Sequence, residues 1–319
     1  MVSNIHKTAQ KMMKKQSMAC IIGGFWLLPL TGCSNVMDKQ SEKVNIPDGA
    51  IVISGDLTYE KMKEALAPLM TNVVTQTEES GSAVASGSNI AIDQNFSSID
   101  AGPLVKVIFH QNAQPSARIE IPERWKNHVK YSYSNGKIKV ENRDHYSIVP
   151  RKVSEYIMLY VNAPRLLSLD LSGVSHADLG TLHQTEGLSI ELSGASNVNI
   201  DDFESEKDLL AYISGASGMG IGRLRAQKVG LGLSGASKVA LQGILSSALT
   251  ADISGASKAK LSGEVGHLTF DASGASSVTA SGKAGKALID ASGTSKIDVS
   301  NLQCQQVTED LSGMSKIVR

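Results

Sequence analysis

The sequence predicts an all-β fold, a solenoid built from stacked coils of about 20 residues. The strongest observation is the tetrapeptide Ser-Gly-x-Ser, which recurs eight times at spacings of 19 to 21 residues. Around each copy, apolar and polar residues alternate with the period of two that is typical of β-strands. The composition agrees, because 4% aromatic residues and 29 glycines favour a repetitive β-architecture with many turns.

Alternation within the repeat predicts which side chains face the core. Leu192, Gly194 and Ser196 share the parity of the apolar residues, whereas Glu191 and Ser193 have the other parity. We therefore expect the glycine and the second serine of each turn to point inward, with the serine hydroxyl bonded to backbone groups of the corner. The repeat glycines are Gly173, Gly194, Gly215, Gly235, Gly255, Gly274, Gly293 and Gly313.

Residues 1–32 have the features of an export signal. Four lysines before residue 16 precede an apolar stretch, Met18–Leu30, that is too short to span a bilayer as a mature helix. Leu30-Thr31-Gly32-Cys33 resembles the lipobox of bacterial lipoproteins, which implies cleavage before Cys33, acylation of this cysteine with fatty acid such as palmitate, and attachment to a membrane. Ser34 in place of Asp favours the outer membrane of the cell envelope, without indicating which face.

Removal of this signal changes the charge and the cysteine count. Removal of the four signal lysines leaves 27 of the 31 basic residues, against 31 acidic ones, so the mature chain has a net charge of about −4. Cys20 leaves with the signal and Cys33 carries lipid, so Cys304 has no partner for an intrachain disulfide. The composition indicates neither a disulfide framework nor a cysteine-based metal site.

The remaining chain divides into a tether and one β-domain. Residues 33–89 are expected to form the tether, with a short helix over 59–66 and a Ser/Gly/Ala-rich linker over 78–89. Residues 90–319 are expected to form the β-helix domain, with less regular opening coils to about residue 165 and regular repeats over 165–319. Asn135-Gly136 predicts a tight hairpin in the opening coils.

The repeats resemble a known family, the putative auto-transporter adhesin head GIN domain. The stretches that match are LSGASNVNI, LSGASKVAL, ISGASKAKL, ASGTSKIDV and LSGMSKIV, together with FSSIDAGPLVKVIFHQ nearer the N-terminus. The resemblance covers residues 90–319. It implies a right-handed β-helix like that of pectin-lyase-like proteins, without their catalytic residues, on an envelope lipoprotein.

The sequence does not favour catalysis or a cofactor. The repeats lack the G-x-S-x-G and S-x-x-K spacings of serine nucleophiles, and eight equivalent serines are too many for one active site. The seven histidines show no metal-ligand spacing and are expected in loops or on the surface. The glycine-rich stretch 218–222 lies inside a repeat, without a helix after it, which excludes a phosphate loop. We expect neither an enzyme nor a nucleic-acid-binding protein.

Outward positions beside each turn form two predicted ladders. Two residues before the first serine stand six carboxylates: Asp170, Glu191, Asp252, Asp271, Asp290 and Asp310. Directly after the second serine stand His176, Asn197, Gly218, Lys238, Lys258, Ser277, Lys296 and Lys316. Like charges one coil apart repel, so two interpretations of the acidic ladder stay open. Its carboxylates accept hydrogen bonds from corner hydroxyls and amides, or they bind divalent cations or a repetitive polar ligand such as a glycan.

Tyr212 and Gly232 interrupt the acidic ladder in adjacent coils, and Arg223 and Arg225 lie between them in sequence. These features predict a binding patch of Tyr212, Arg223 and Arg225. The favoured function is a non-catalytic adhesion or binding module for a glycan or protein surface. The alternatives are a structural or oligomeric envelope protein without a soluble ligand and, least favoured, a carbohydrate-active enzyme of the pectin-lyase type.

The last repeat stops just past its corner, at Arg319. An open solenoid end presents an unpaired strand edge, so we expect another subunit or a segment of the same domain to cover it.

Overall fold

The computed structural model describes residues 86–142 and 156–319. The expected signal peptide, Cys33, the short helix and most of the linker lie outside these residues. Within them the protein is a β-solenoid of about eight turns, with coils of about 20 residues, which confirms the predicted fold class.

The opening coils contain nine strands and one short 3-10 helix. They are β1 Ser86–Ile90, β2 Ser98–Ala101, β3 Val105–Gln111, β4 Ser116–Ile121, the 3-10 helix Glu123–Trp125, β5 Val129–Ser134, β6 Lys137–Asn142, β7 Ile157–Ala163, β8 Ser168–Leu171 and β9 His176–Asp178. β4 pairs antiparallel with both β1 and β7, and β5 pairs antiparallel with β6, whereas the other pairs of these coils are parallel. β1 includes residues 86–89, so the predicted linker is wrong there: its last residues extend the sheet instead.

The regular coils contain ten strands, and their pairing is parallel throughout. They are β10 Thr181–Gln184, β11 Leu188–Leu192, β12 Asn197–Ser205, β13 Leu209–Ile213, β14 Gly218–Leu233, β15 Lys238–Ile253, β16 Lys258–Ala272, β17 Ser277–Ala291, β18 Lys296–Leu311 and β19 Lys316–Val318.

The predicted hairpin is present in the opening coils. β5 and β6 pair antiparallel on either side of Asn135-Gly136. Both turn residues have positive φ, 50° and 73°, as a two-residue turn matching the strand twist requires.

Each regular coil has three sides. In β15 the buried positions are separated by two residues along a side and by three across a bend, which places bends after Leu241 and after Ser246. We call the stretch after the turn side A (Lys238–Leu241 in this coil), the next side B (Ile244–Ser246) and the last side C (Leu249–Ile253). The Ser-Gly-x-Ser turn is the third corner. The interior is a continuous column of small and aliphatic side chains, with few rings.

The repeat glycines hold that corner. All eight have φ between 69° and 74°, a left-handed conformation that is strained for residues with a Cβ. They also stack directly on one another: a Cβ on Gly235 would lie 2.6 Å from the carbonyl oxygen of Gly215 in the preceding coil. Gly235, Gly255 and Gly274 are exposed, so the expectation that the glycine faces the interior is wrong. The positive φ breaks the alternation at the turn and leaves the glycine on the outer corner.

The second serine is buried as expected. In Ser237 the hydroxyl shares its one proton between two carbonyls, since Oγ lies 2.6 Å from Ser234 O of the same turn and 3.1 Å from Ile213 O of the preceding coil. Ser295 and Ser315 repeat this pair of contacts. A main-chain carbonyl that would be unpaired inside the corner thereby gains a donor. The buried Oγ of Ser276 has no such partner within the described residues.

The short strand β19 lies at the C-terminal end of the solenoid. β19 pairs with the first residues of β18, and the Arg319 guanidinium forms an ion pair with Glu309. Glu309 occupies a position that is apolar in the two preceding coils, Phe270 and Ile289. A charge at an inward position blunts an open edge, but β19 is the start of the last repeat itself, so cover by an internal segment stays a prediction. Coverage by a second subunit also stays a prediction.

The corner predicts the effect of one substitution. Gly235→Ala should destabilise the solenoid by about 2 kcal/mol or more, because it adds both positive-φ strain and a clash with the coil before it. Gly180→Ala is the matched control, since Gly180 has φ of 56° but no atom beyond its chain neighbours lies within 4 Å of where an added Cβ would stand. Chemical denaturation should show the larger loss for Gly235→Ala. Equal losses would contradict the stacking argument.

Candidate functional site

Because the coils pair in parallel and in register, the residues of the predicted acidic ladder form a column on side C. Asp170 pairs with Glu191, Glu191 with Tyr212, Tyr212 with Gly232 and Gly232 with Asp252. The column continues through Asp271 and Asp290 to Asp310. Every predicted member therefore lies on one line parallel to the solenoid axis.

One further carboxylate belongs to the column and was not predicted. Asp100 on β2 pairs with Asp170 on one side and with Lys139 on the other. Its flanking residues Ile99 and Ala101 are buried, as Leu169 and Leu171 are around Asp170. That shared alternation was a usable signal in the sequence, but the Ser-Gly-x-Ser motif that marks the other coils is absent beside Asp100.

A groove of about 710 Å³ follows this column. It is lined by the outward residues of side C and by the first serines of the turns: Asp100, Asp170, Ser172, Glu191, Ser193, Tyr212, Ser214, Gly232, Ser234, Asp252, Ser254, Asp271 and Ser273, with Leu192, Ile213, Leu233 and Ile253 between them. From Asp100 to Asp271 the groove crosses six coil-to-coil steps, or about 29 Å at roughly 4.8 Å per step. We call it the carboxylate groove.

Most carboxylates of the groove have no partner. Within residues 86–142 and 156–319, Asp170, Glu191, Asp252 and Asp271 accept no hydrogen bond and form no ion pair, whereas Asp100 lies 3.9 Å from Lys139 Nζ. The interpretation that corner hydroxyls satisfy these carboxylates is therefore wrong. Two of the first serines donate to main-chain carbonyls instead, Ser214 Oγ to Leu192 O and Ser254 Oγ to Leu233 O, both at 3.2 Å.

Crowding of like charge is evident at the N-terminal end of the groove. The pKa of Asp170 is raised, first by partial burial and then by the neighbouring carboxylates Asp100 and Glu191. Lys137 and Lys139 act in the opposite direction. The groove therefore carries a negative electrostatic potential, which these two nearby lysines offset only at its N-terminal end.

Tyr212 is the one aromatic residue among those lining the groove, and its side chain is 57% exposed. Its ring lies against Gly232 of the next coil, where an added Cβ would be 2.9 Å from Cδ1. Leu210 lies against Gly230 in the same way, with the same distance to its Cδ2. The two glycines thus leave room for an exposed apolar platform, Leu210 and Tyr212, flanked by carboxylates.

The predicted patch of Tyr212, Arg223 and Arg225 is divided in the structure. Neither arginine is among the residues that line the groove. Arg223 forms an ion pair with Asp202 at 2.9 Å, and Arg225 lies 3.8 Å from Glu204, one coil away. The arginines follow side A of β14, whereas Tyr212 is on side C of β13, so proximity in sequence did not become proximity in space.

The predicted basic ladder is also in register, on side A. Its residues pair coil by coil from His176 through Lys238 and Lys258 to Lys316. Burial, and then the charge of Lys258, lowers the pKa of Lys238 to about 8. Gly218 and Ala240 between these side chains are buried, so this side offers less open surface than side C.

One histidine differs from the expectation of a surface or loop position. His176 is only 4% exposed, and its Nε2 lies 3.0 Å from the hydroxyl of buried Tyr156. Burial, and then the nearby Lys106, lower the pKa of His176 to about 3. Lys106 is buried as well, and its pKa falls to about 8 despite the charge of Asp178. His145 lies outside the described residues.

Metal-binding geometry is not found in the part of the chain that the structure describes. There, no group of three or more His, Cys, Asp or Glu residues could hold a metal ion. In the same part, no helix is long and apolar enough to cross a membrane.

The chain belongs to the family described as putative auto-transporter adhesin, head GIN domain, which matches residues 95–262 and 229–318. Solved structures share the fold at low identity. A putative adhesin from Bacteroides fragilis is 15% identical, with a TM-score of 0.52 over 73% of this chain and 96% of that one. One from Parabacteroides merdae is 16% identical, with a TM-score of 0.54 over 74% and 96%. A protein from Parabacteroides distasonis named a putative lipid binding protein is 14% identical, with a TM-score of 0.56 over 74% and 97%. No curated protein matches the chain.

The buried histidine predicts a pH dependence of stability. Because the pKa of His176 is about 3 in the folded protein and about 6.5 when unfolded, the unfolded state binds the proton first. Above pH 6.5, neutral His176 makes its full contribution to the free energy of unfolding. This contribution is lost, at up to about 1.4 kcal/mol per pH unit, as the pH falls toward 3. His176→Gln should flatten the pH dependence of the free energy of unfolding, measured with urea, between pH 6.5 and 4.5. His267→Gln, at an exposed histidine that forms no ion pair within the described residues, is the matched control. An unchanged slope in His176→Gln would contradict the assignment.

Proposed function

We propose that this protein is a non-catalytic binding module of the bacterial cell envelope, anchored by lipid on Cys33, and that its carboxylate groove binds an extended saccharide chain lying along the solenoid axis. Membership of an adhesin family and the solenoid fold support the general role. The residues that line the groove support the ligand class.

The observation that carries the proposal is the position of Tyr212. An exposed aromatic ring within a groove supplies a flat apolar surface against which a sugar ring can pack. Unpartnered carboxylates on both sides, Glu191 and Asp252, are acceptors for sugar hydroxyls. The volume lies within the range of known ligand sites, and a rigid sheet presents these groups in a fixed arrangement.

The repeat adds a reason for an extended ligand. Carboxylate and serine positions recur once per coil, about 4.8 Å apart, and a pyranose unit in an extended chain has similar length. Successive units of one polymer can therefore make the same contacts in successive coils. Several weak contacts on one chain combine into useful affinity.

A glycan array probed with the full-length protein, purified in mild detergent, tests the proposal. Tyr212→Ala should weaken binding to the glycans that score by about tenfold or more, because removing a central aromatic anchor commonly has that effect. Tyr131→Ala is the matched control, since Tyr131 is an exposed tyrosine of β5 that does not line the groove. The control should bind like the wild type.

Two results would count against the groove. Binding that survives Tyr212→Ala unchanged would place the saccharide elsewhere. No binding to any glycan would instead favour the structural envelope role. Calorimetric titration with calcium tests the alternative that the acidic ladder binds divalent cations. That alternative predicts heat on titration and a raised melting temperature in the absence of any glycan.

The anchor has its own test. In bacteria fed an alkyne-bearing palmitate analogue, the wild-type chain should be labelled and should fractionate with membranes. Cys33→Ser should lose the label and keep the signal uncleaved, whereas Cys304→Ser, at the free cysteine of the described domain, should behave as wild type. A labelled Cys33→Ser variant would contradict lipidation at this residue.

A further inference from the structure

The net charge of the groove narrows the class of saccharide. Five carboxylates line it, and within the described residues only Asp100 has a cation within 4 Å. The ladder lysines of the regular coils are on side A, after the turn, and no lysine is among the residues that line the groove. An anionic polymer or lipid phosphate would be repelled along the whole groove, and a neutral glycan would leave the carboxylates unneutralised.

Tyr212 favours the same choice independently of the carboxylates. Its exposed ring face is a site for a cation, because the face of an aromatic ring carries negative electrostatic potential. Gly230 and Gly232 let the side chains of Leu210 and Tyr212 lie against the sheet. In the column, the Tyr212 ring therefore lies next to Glu191 on one side and over Gly232 on the other. An amine packed there meets an aromatic face and carboxylates of the neighbouring coils together.

From these contacts we infer that the groove selects an amine-bearing saccharide, a polymer of amino sugars with free amino groups, over its N-acetylated counterpart. The inference rests on the proposed function, since it concerns the ligand of the same groove. An extended polysaccharide fits better than a basic peptide because every unit of a sugar polymer also carries hydroxyls that can form hydrogen bonds with the serine row at Ser193, Ser214 and Ser234.

The decisive comparison uses two ligands that differ only in the amino group. A β-1,4-linked glucosamine hexamer and the matching N-acetylglucosamine hexamer are titrated calorimetrically into the full-length protein in detergent at pH 6, where carboxylates are ionised. The free amine form should bind at least about tenfold more tightly at low salt, since each ammonium that faces the groove is attracted by the nearby carboxylates and the neutral acetamide is not. That advantage should shrink several-fold at 0.5 M salt, where charges are strongly screened (about 4 Å screening length).

Variants locate the selectivity within the groove. The double variant Glu191→Gln with Asp252→Asn removes two carboxylates beside Tyr212 and should reduce the preference for the amine form to about threefold or less. Asp310→Asn is the matched control, because Asp310 continues the same column but does not line the groove. It should leave both affinities unchanged.

Each outcome is decisive. Equal or tighter binding of the acetylated hexamer overturns the charge selectivity but leaves the proposed saccharide groove standing. No binding of either hexamer, together with no glycan bound on the array, overturns both. Tighter binding of a hexalysine peptide than of the glucosamine hexamer assigns the groove to a polypeptide and overturns the inference.

Discussion

The structure depends on one repeated contact, the stacking of the Ser-Gly-x-Ser corner on the corner before it. In each coil the amide after the glycine donates to the glycine carbonyl of the preceding coil, as Ala216 N does to Gly194 O at 2.7 Å and Ala236 N to Gly215 O at 2.7 Å. This bond needs backbones closer than a Cβ allows, so glycine is required by distance as well as by φ. Once the corners are stacked, the neighbouring strands have no freedom of register.

Fixed register makes every outward position of the repeat a column, and this has an electrostatic cost. Like charges on successive coils repel. Within the described residues no serine hydroxyl donates to the carboxylates of the side C column, and those of Ser214 and Ser254 donate to main-chain carbonyls instead. On side A the lysines stand in two adjacent pairs, Lys238 with Lys258 and Lys296 with Lys316, and Ser277 separates one pair from the other. Side C keeps its carboxylates adjacent over long stretches, so its charge pattern is not needed to build the solenoid.

The sequence predicts those features of the fold and of the groove that are encoded within a single repeat. Spacing and parity are local, so the coil length, the buried second serine and the acidic column were visible in the sequence. The outward position of the glycine was not, because alternation assumes extended backbone and φ near 70° interrupts it. The bends between sides also change parity, and Arg223, which lies past the corner and past side A of its coil, is therefore not beside Tyr212 on side C. The burial of His176 depends on Tyr156 and Lys106, brought together only by the irregular opening coils.

Departures from a repeat are informative when the repeat itself explains the fold. Glycine within a strand weakens it by roughly 0.5–1 kcal/mol relative to alanine, and β14 contains glycine at both outward positions of side C, Gly230 and Gly232. Neither has positive φ and neither stacks on backbone, so the corner does not require them. What they accommodate is the pair of exposed side chains of the preceding coil, Leu210 and Tyr212. Exposed apolar groups add nothing to the core, and a strand weakened in order to hold them is therefore best explained by what they contact outside the protein.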